Sequence, residues 1–335
     1  MMGRIEQKKN IKKRNRKRII VSILVIFLLL IGGGVAYATV LYQKFHNVAN
    51  TAHTNLARGD KSDLRDVKVD PMNDNISILF IGVDKRKNEP SRSDAMILAT
   101  FNHTNDSVKL VSIPRDSKVQ IVDPTNQKNY GMTKITHAHY YGDLNGDKGA
   151  DYTIATVEHL FNIPVDYYVQ VDFKAFTKIV NALDGVEVNV PVKLVTQNSK
   201  DKKNAIVLNP GKQTLNGEQA LAFVRNRKSA GAGGDFGRGK RQMALIKAIL
   251  HKSANISSIT KYGDVIDSLK GHFQTNLTFS QILGLHNYAG SLSNIDMMQL
   301  KGTDDMSTGT YYFQLDQNYL EQVKSELRDH LELDK

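Results

Sequence analysis

The chain has no cysteine among its 335 residues. That excludes a disulfide framework and any Cys-ligated metal centre, and it leaves no thiol for oxidation outside the cell to attack. A charge excess is also missing from most of the sequence. The net charge of +11 would ordinarily point to nucleic acid or an anionic surface. Its distribution removes most of that inference: residues 1–18 hold nine Lys/Arg against Glu6 alone, while residues 19–335 hold 36 basic and 33 acidic side chains, a balance of +3. Neither an internal repeat nor a low-complexity tract is present.

What is present near the N-terminus is an uncharged run, IIVSILVIFLLLIGGGVAYATVL, at residues 19–41. As a helix rising ~1.5 Å per residue it reaches roughly 34 Å, enough to cross a hydrocarbon core of about 30 Å. Lys/Arg flank only its N-terminal side, which predicts residues 1–18 in the cytoplasm and residue 42 onward outside the cell. Ala36-Tyr37-Ala38 has the small-x-small form of a signal-peptide cleavage site, but the apolar stretch continues through Val40 and Leu41, so an uncleaved anchor is the reading adopted. The basic tail would then be the sole cytoplasmic part, and 18 residues without a recognition fold exclude DNA binding.

Residues 42–73 are polar with scattered charges and read as an extracytoplasmic spacer. The folded domain is predicted over 74–331. Ile76 to Val83, Ala95 to Phe101 and Val108 to Ile113 are short apolar runs suited to buried strands, and Tyr167 to Val171 and Val186 to Val190 are further strand candidates. Between and after them, Tyr152 to Phe161, Phe173 to Leu183, Gly217 to Val224 and Arg238 to Leu250 place apolar residues three and four apart, which predicts helices. Interleaved strands and helices imply an α/β domain of three layers, α/β/α, whose tight strand-to-strand steps make the central sheet mixed.

Charged residues gather at the predicted element ends. Asp84 follows the first strand and Asp94 precedes the second. Two carboxylates ten residues apart across one loop can converge on a hard divalent cation, Mg²⁺ or Mn²⁺, or can simply be two solvated loop acids. Arg115 closes the third strand, Lys134 opens KITHAH, Arg225 and Arg227 leave a helix as VRNR, and DFGRGKRQ supplies Arg238, Arg241 and Gln242. Arg238 and Gln242 are four apart, on one face of a helix near its N-terminus. Arginine at several element ends suits a pyrophosphate, because the planar guanidinium binds phosphate oxygens through a bidentate fork and keeps its charge.

The stretches ISILFIGVDKR, RSDAMIL, VSIPRDS, KITHAHYYG, YYVQVDF, LDGVEVNVP, LNGEQALAFVRNR and DFGRGKRQ together resemble the LytR-CpsA-Psr proteins of Gram-positive cell envelopes, in the order those proteins have them. The resemblance implies a domain outside the membrane that takes a polyprenyl-pyrophosphate-linked glycopolymer, such as a teichoic acid or a capsule polymer, and transfers it with one phosphate to peptidoglycan. It implies Mg²⁺ on Asp84 and Asp94, a catalytic role for these two and Arg115, and pyrophosphate contacts from Arg92, Arg115, Lys134, Arg225, Arg227, Arg238 and Gln242. It also implies an apolar tunnel for the lipid, whose lining a single sequence does not assign. Thr136 stands where the family usually has Asn; a hydroxyl can still donate a hydrogen bond there.

Other signals carry less. Asp143, Asn145, Asp147 and Asp151 have a calcium-loop look, but Lys148 and Ile154 occupy the positions that need Gly and an acid. His137 and His139 lie two apart without a third partner and read as packing or substrate-side groups. Two alternatives stay open at this level: a pyrophosphatase, in which water replaces the glycan hydroxyl, and a regulator that only binds envelope polymers.

Overall fold

Apolar runs that are buried on both faces of a sheet are continuous rather than alternating, and the core of the fold starts from three of them. In the computed structural model, which describes Gln43 and residues 52–85, 89–254, 269, 271–285, 288, 290–291 and 294–333, strands β1 (Ile76–Asp84), β2 (Arg92–Asn102) and β3 (Ser107–Ile113) form an antiparallel meander. The chain then makes a small hairpin, β4 (Lys118–Gln120) with β5 (Met132–Lys134), and two helices, α1 (Thr136–Leu144) and α2 (Gly149–Phe161). It returns to the sheet as β6 (Tyr167–Asp172), parallel to β1.

Helix α3 (Phe173–Ala182) follows at once, its N-terminus capped by Asp172, which accepts from the Ala175 amide at 2.8 Å. Strand β7 (Val186–Val190), hairpin β8 (Leu194–Thr196) with β9 (Ile206–Leu208), and β10 (Gly211–Leu215) lie apart from the main sheet, β10 pairing with β7. Helices α4 (Gly217–Arg225) and α5 (Gly234–Ala254) come next, α4 opened by a capping box between Asn216 and Gln219. The last part contains β11 (Phe273–Thr275), α6 (Phe279–Gly284), β12 (Ile295–Gln299), hairpin β13 (Gly302–Asp305) with β14 (Tyr312–Leu315), and α7 (Gln317–Leu331).

The main sheet runs β11-β6-β1-β2-β3-β12, with β1/β6 and β3/β12 parallel and the other neighbours antiparallel. The mixed sheet is therefore as predicted. One face packs Leu79, Ile81, Leu98 and Val111 against Val157 and Phe161 of α2 and Leu320, Val323 and Leu327 of α7. The other packs Ile78, Ile97, Ala99 and Leu110 against Met243 of α5 and Leu277. A third cluster joins α3, α4 and β7 to β10 through Val180, Val186, Val188, Leu215 and Phe223. Val186 to Val190, predicted as a strand, is one, but it belongs to this flanking cluster.

The spacer reading of 42–73 needs correction over its second half. Ala52 and Leu56 are buried, Arg58 pairs with Glu158, and Arg65 pairs with Asp166 at 2.8 Å. The Thr54 amide donates to the Thr275 carbonyl, and the Ser62 hydroxyl to Glu158 at 2.6 Å. The segment looks like a polar linker because its partners are two carboxylates about a hundred positions away, buried Asp166 and half-buried Glu158, which local composition does not reveal. Residues 1–18 and the predicted span at 19–41 lie outside the described residues; among those described, no helix is long and apolar enough to cross a membrane.

His330 of α7 gives the fold a pH dependence. It is 6% exposed, with Nδ1 2.8 Å from the Thr100 hydroxyl and Nε2 2.8 Å from the Ser107 hydroxyl. Burial, with some repulsion from Lys109, lowers its pKa to about 4. Between that value and the unfolded ~6.5 the unfolded chain binds more protons, so stability present above pH 6.5 is lost as pH falls toward 4, by roughly 3 kcal/mol. Urea midpoints measured from pH 7 to pH 4.5 are expected to fall accordingly, and His330→Gln is expected to flatten that part of the profile.

Candidate active site

The site begins with a break in strand register. Gly82 pairs with Ala95 and Val83 with Ser93, so Asp94 is the extra residue of a β-bulge. In an unbroken strand Asp94 would face away from Ala95; the bulge brings the two to the same side. Both line one cavity of about 660 Å³, which Gly82 and Asp84 of β1 also line. Thus the two aspartates predicted to act together share one cavity mouth.

The cations arrive from three directions. Arg115 sits just past the end of β3 and its Nη1 donates to Asp94 at 2.6 Å. Burial works against the Arg115 cation, but Asp94, Asp116 and Asp235 outweigh it and raise its pKa. From α4 comes Arg225, its guanidinium 4.6 Å from the Phe173 ring centroid and 3.3 Å from Asp201, followed by Arg227, which is 3.6 Å from Asp235. From the first turns of α5 come Arg238, 2.8 Å from Asp235, and Gln242.

Arg238 is 7% exposed. Its pKa is lowered to about 10, first by burial and then by repulsion from Arg115 and Arg227. It therefore stays charged at neutral pH in a place that disfavours more positive charge, which is the condition for attracting an anion. Gly239 suits this placement: a Cβ there would come within 2.5 Å of the Gln299 amide nitrogen and 2.8 Å of the Ser112 hydroxyl, so a larger residue would push these side chains aside where α5 meets β3 and β12.

Beside these charged groups, and with polar Gln197, Lys203 and Asn204, the lining of the cavity has a large apolar part. Phe80, Ile97, Val169, Phe176, Ile179, Leu245, Ile246 and Ile249 are among its lining residues. Seven of the nine residues carried over by resemblance, Asp84, Asp94, Arg115, Arg225, Arg227, Arg238 and Gln242, line this one cavity. Arg92 and Lys134 do not. Arg92 is exposed, opposite Asp84 in register, with its guanidinium 5.0 Å from the Tyr140 ring centroid. Lys134 is bound to Asp116 at 2.7 Å and faces Tyr311 and Tyr312.

Several other side chains settle into structural roles. Arg241 is 3% exposed and spends its guanidinium on three carbonyls: Nε donates to Phe223 at 3.0 Å, Nη1 to Ala232 at 2.7 Å, and Nη2 to Asn226. These acceptors include the end of α4 and the turn that carries Arg225 and Arg227, where helix-terminal carbonyls lack intrahelical donors. Its position one residue before Gln242 in DFGRGKRQ was visible in the sequence, but not its inward direction. His139 Nε2 is 3.0 Å from the Gln170 side-chain oxygen, and His137 Nδ1 is 3.0 Å from the Thr133 hydroxyl. Asp143 accepts from the Ser91 amide and Asp151 from the Ala57 amide, so both fasten neighbouring segments. The Thr136 hydroxyl is buried without a hydrogen-bond partner.

Among the described residues no group of three His, Asp or Glu side chains comes together to hold a metal ion. Asp84 and Asp94 offer carboxylate oxygens on one cavity lining, the donor type that a hard cation such as Mg²⁺ takes, and Asp94 already pairs with Arg115.

The profile of the LytR_cpsA_psr family matches residues 39–329. A relative named polyisoprenyl-teichoic acid--peptidoglycan teichoic acid transferase TagT, from Bacillus subtilis, is 42% identical over 302 residues, 88% of each chain. A TagU transferase of the same description from Halalkalibacterium halodurans is 36% identical, covering 89% of this chain and 93% of its own. Among solved structures, TagT bound to LIIa-WTA matches with a TM-score of 0.71 and 41% identity, covering 84% of this chain and all of that one. YwtF (TagT) with bound octaprenyl pyrophosphate lipid matches with a TM-score of 0.67 and 38% identity over the same shares.

The Arg241 clamp makes a direct test of how the arginine-bearing turn is held. Arg241→Met keeps an unbranched apolar stem but leaves three buried carbonyls without a donor, an expected loss of roughly 3 kcal/mol. A urea midpoint unchanged from the parent chain would show that the clamp does not hold the turn.

Proposed function

The chain belongs to the LytR_cpsA_psr family, and on that premise we propose that it is a phosphotransferase that moves a glycopolymer, a teichoic acid in its named relatives, from a polyprenyl-pyrophosphate carrier to peptidoglycan. The observation that carries this reading is the two-part cavity: an apolar interior that suits a polyprenyl chain, and a mouth with Asp84, Asp94, Arg115, Arg225, Arg227, Arg238 and Gln242 that suits a pyrophosphate.

With the lipid inside, the pyrophosphate lies at the mouth. A muramic acid hydroxyl attacks the sugar-side phosphorus; the new P–O bond forms as the bond from that phosphorus to the bridging oxygen breaks. The polyprenyl phosphate leaves with the bridging oxygen, and the hydroxyl proton passes to a carboxylate of the Asp84 and Asp94 pair. Arg115, Arg225, Arg227 and Arg238 are already in place around the charge that develops on the leaving phosphate, so stabilisation needs little reorganisation. Mg²⁺ held by Asp84 and Asp94 would neutralise phosphate charge and align the oxygens. Arg92 and Lys134 contribute from the rim.

Residues 19–41 anchor the chain in the membrane in this reading, with residues 1–18 cytoplasmic and the folded domain outside. The charge asymmetry around the apolar run supports that orientation.

The test incubates the full chain in detergent with a polyprenyl-pyrophosphate oligosaccharide, peptidoglycan oligomers and Mg²⁺, and reads products by mass spectrometry. The expected product is a glycan joined to peptidoglycan by a phosphodiester. Chelation by EDTA and Asp94→Ala are each expected to abolish it, and Arg115→Ala to lower kcat by roughly 10²–10³. Phosphate-terminated glycan without the joined product would indicate hydrolysis instead, and binding without turnover would indicate a polymer-binding regulator.

A further inference from the structure

Lys134 leads out of the cavity. Asp116 accepts from Arg115 Nε at 3.3 Å and from Lys134 Nζ at 2.7 Å, so an ionic chain runs from a cavity-lining guanidinium to a side chain that is not in the lining. Lys134 Nζ in turn lies 5.6 Å from the Tyr311 ring centroid and 5.9 Å from that of Tyr312. Lys118 Nζ lies 5.1 Å from the Tyr312 centroid. The hairpin bearing both tyrosines is fastened at the same place, since the Phe313 amide donates to the Asp116 carbonyl at 2.9 Å. Tyr311 and Tyr312 are half-buried, each leaving part of its surface open.

We propose that Tyr311 and Tyr312, with Lys118 and Lys134, form the subsite that seats the acceptor glycan strand of peptidoglycan; this rests on the transfer reading above. The chemistry fits a saccharide that carries anionic groups. The C–H face of a pyranose packs on an aromatic ring and the Lys118 ammonium beside Tyr312 meets its carboxylates, while the Tyr311 hydroxyl, donating to Asp304 at 2.8 Å, holds its ring in place. Placement selects the acceptor over the donor glycan. In-line displacement needs the attacking and leaving oxygens on opposite sides of the phosphorus. The leaving polyprenyl phosphate belongs to the cavity, so the attacking hydroxyl comes from outside it. Tyr311 and Tyr312 are outside, joined to Arg115 through one carboxylate and one lysine.

The test measures binding of peptidoglycan oligomers to the full chain in detergent without donor, so it does not depend on turnover. The Tyr311→Ala/Tyr312→Ala double variant is expected to weaken acceptor binding about tenfold and to leave binding of the polyprenyl-pyrophosphate glycan within twofold. Tyr312→Phe, which keeps the ring, is expected to stay within twofold for both. Lys118→Glu, a change at a partly exposed side chain that leaves both rings in place, is expected to weaken acceptor binding about fivefold, and it decides the matter if the double variant does not fold. Unchanged acceptor binding in a folded double variant or in Lys118→Glu would overturn the proposal. So would weakened donor binding with acceptor binding intact, which would give the platform to the donor's sugars. A parent chain that binds acceptor through these residues yet transfers nothing would count against the transferase reading alone.

Discussion

The arrangement of the site depends on the loss of register between β1 and β2. Asp84 ends one strand, and Asp94 is the residue left over where Gly82 pairs with Ala95 and Val83 with Ser93. Strand geometry alternates side chains between faces, and the two faces here go to different places: one to the packed α2/α7 layer, the other to the cavity. Only the bulge gives Asp94 and Ala95 the same destination. Once Asp94 is at the mouth, Arg115 can pair with it, Asp116 can turn outward to Lys134, and the hairpin carrying Tyr311 and Tyr312 can dock on the Asp116 carbonyl.

The second constraint is the crowding of positive charge. Arg115, Arg227 and Arg238 are close enough to affect one another, and Asp235 is the carboxylate that Arg227 and Arg238 both approach. Arg241, four residues from neither Arg238 nor Gln242 but between them, has no carboxylate at all and is held by carbonyls. A carbonyl set neutralises less than a carboxylate would. It satisfies the guanidinium's donors while leaving the local potential positive, which favours the arrival of an anionic group.

Most of the sheet and the helices over 149–254 were legible because their apolar spacing is local. Motif resemblance picked out seven residues that line one cavity, because its motifs are short and local in sequence. What escaped depends on pairings distant in sequence. Residues 52–73 look like a linker until Glu158 and Asp166 are placed beside Arg58 and Arg65. Helix α7 is only one third apolar, and its burial of Val323 and Leu327 depends on a sheet formed more than two hundred residues earlier. Tyr311 and Tyr312 stand in a polar hairpin with no motif, and they are tied to the site by pairings distant in sequence, Phe313 with Asp116 and the two rings with Lys134.

The cavity itself explains why one protein needs both kinds of surface. Apolar burial of a long lipid is non-directional and scales with area removed from water; it can hold the donor but cannot set the position of a phosphorus atom. Bidentate arginine contacts are directional, yet on their own they would also take free phosphates. Joined in one cavity, the two requirements act as a filter: a group must present a pyrophosphate at the mouth while it fills the apolar interior lined by Phe80, Phe176, Leu245 and Ile249. In the proposed reading, selectivity for a lipid-linked pyrophosphate follows from the distance between those two regions, which is set by the packing of α3 and α5 against the sheet and of α4 against both helices.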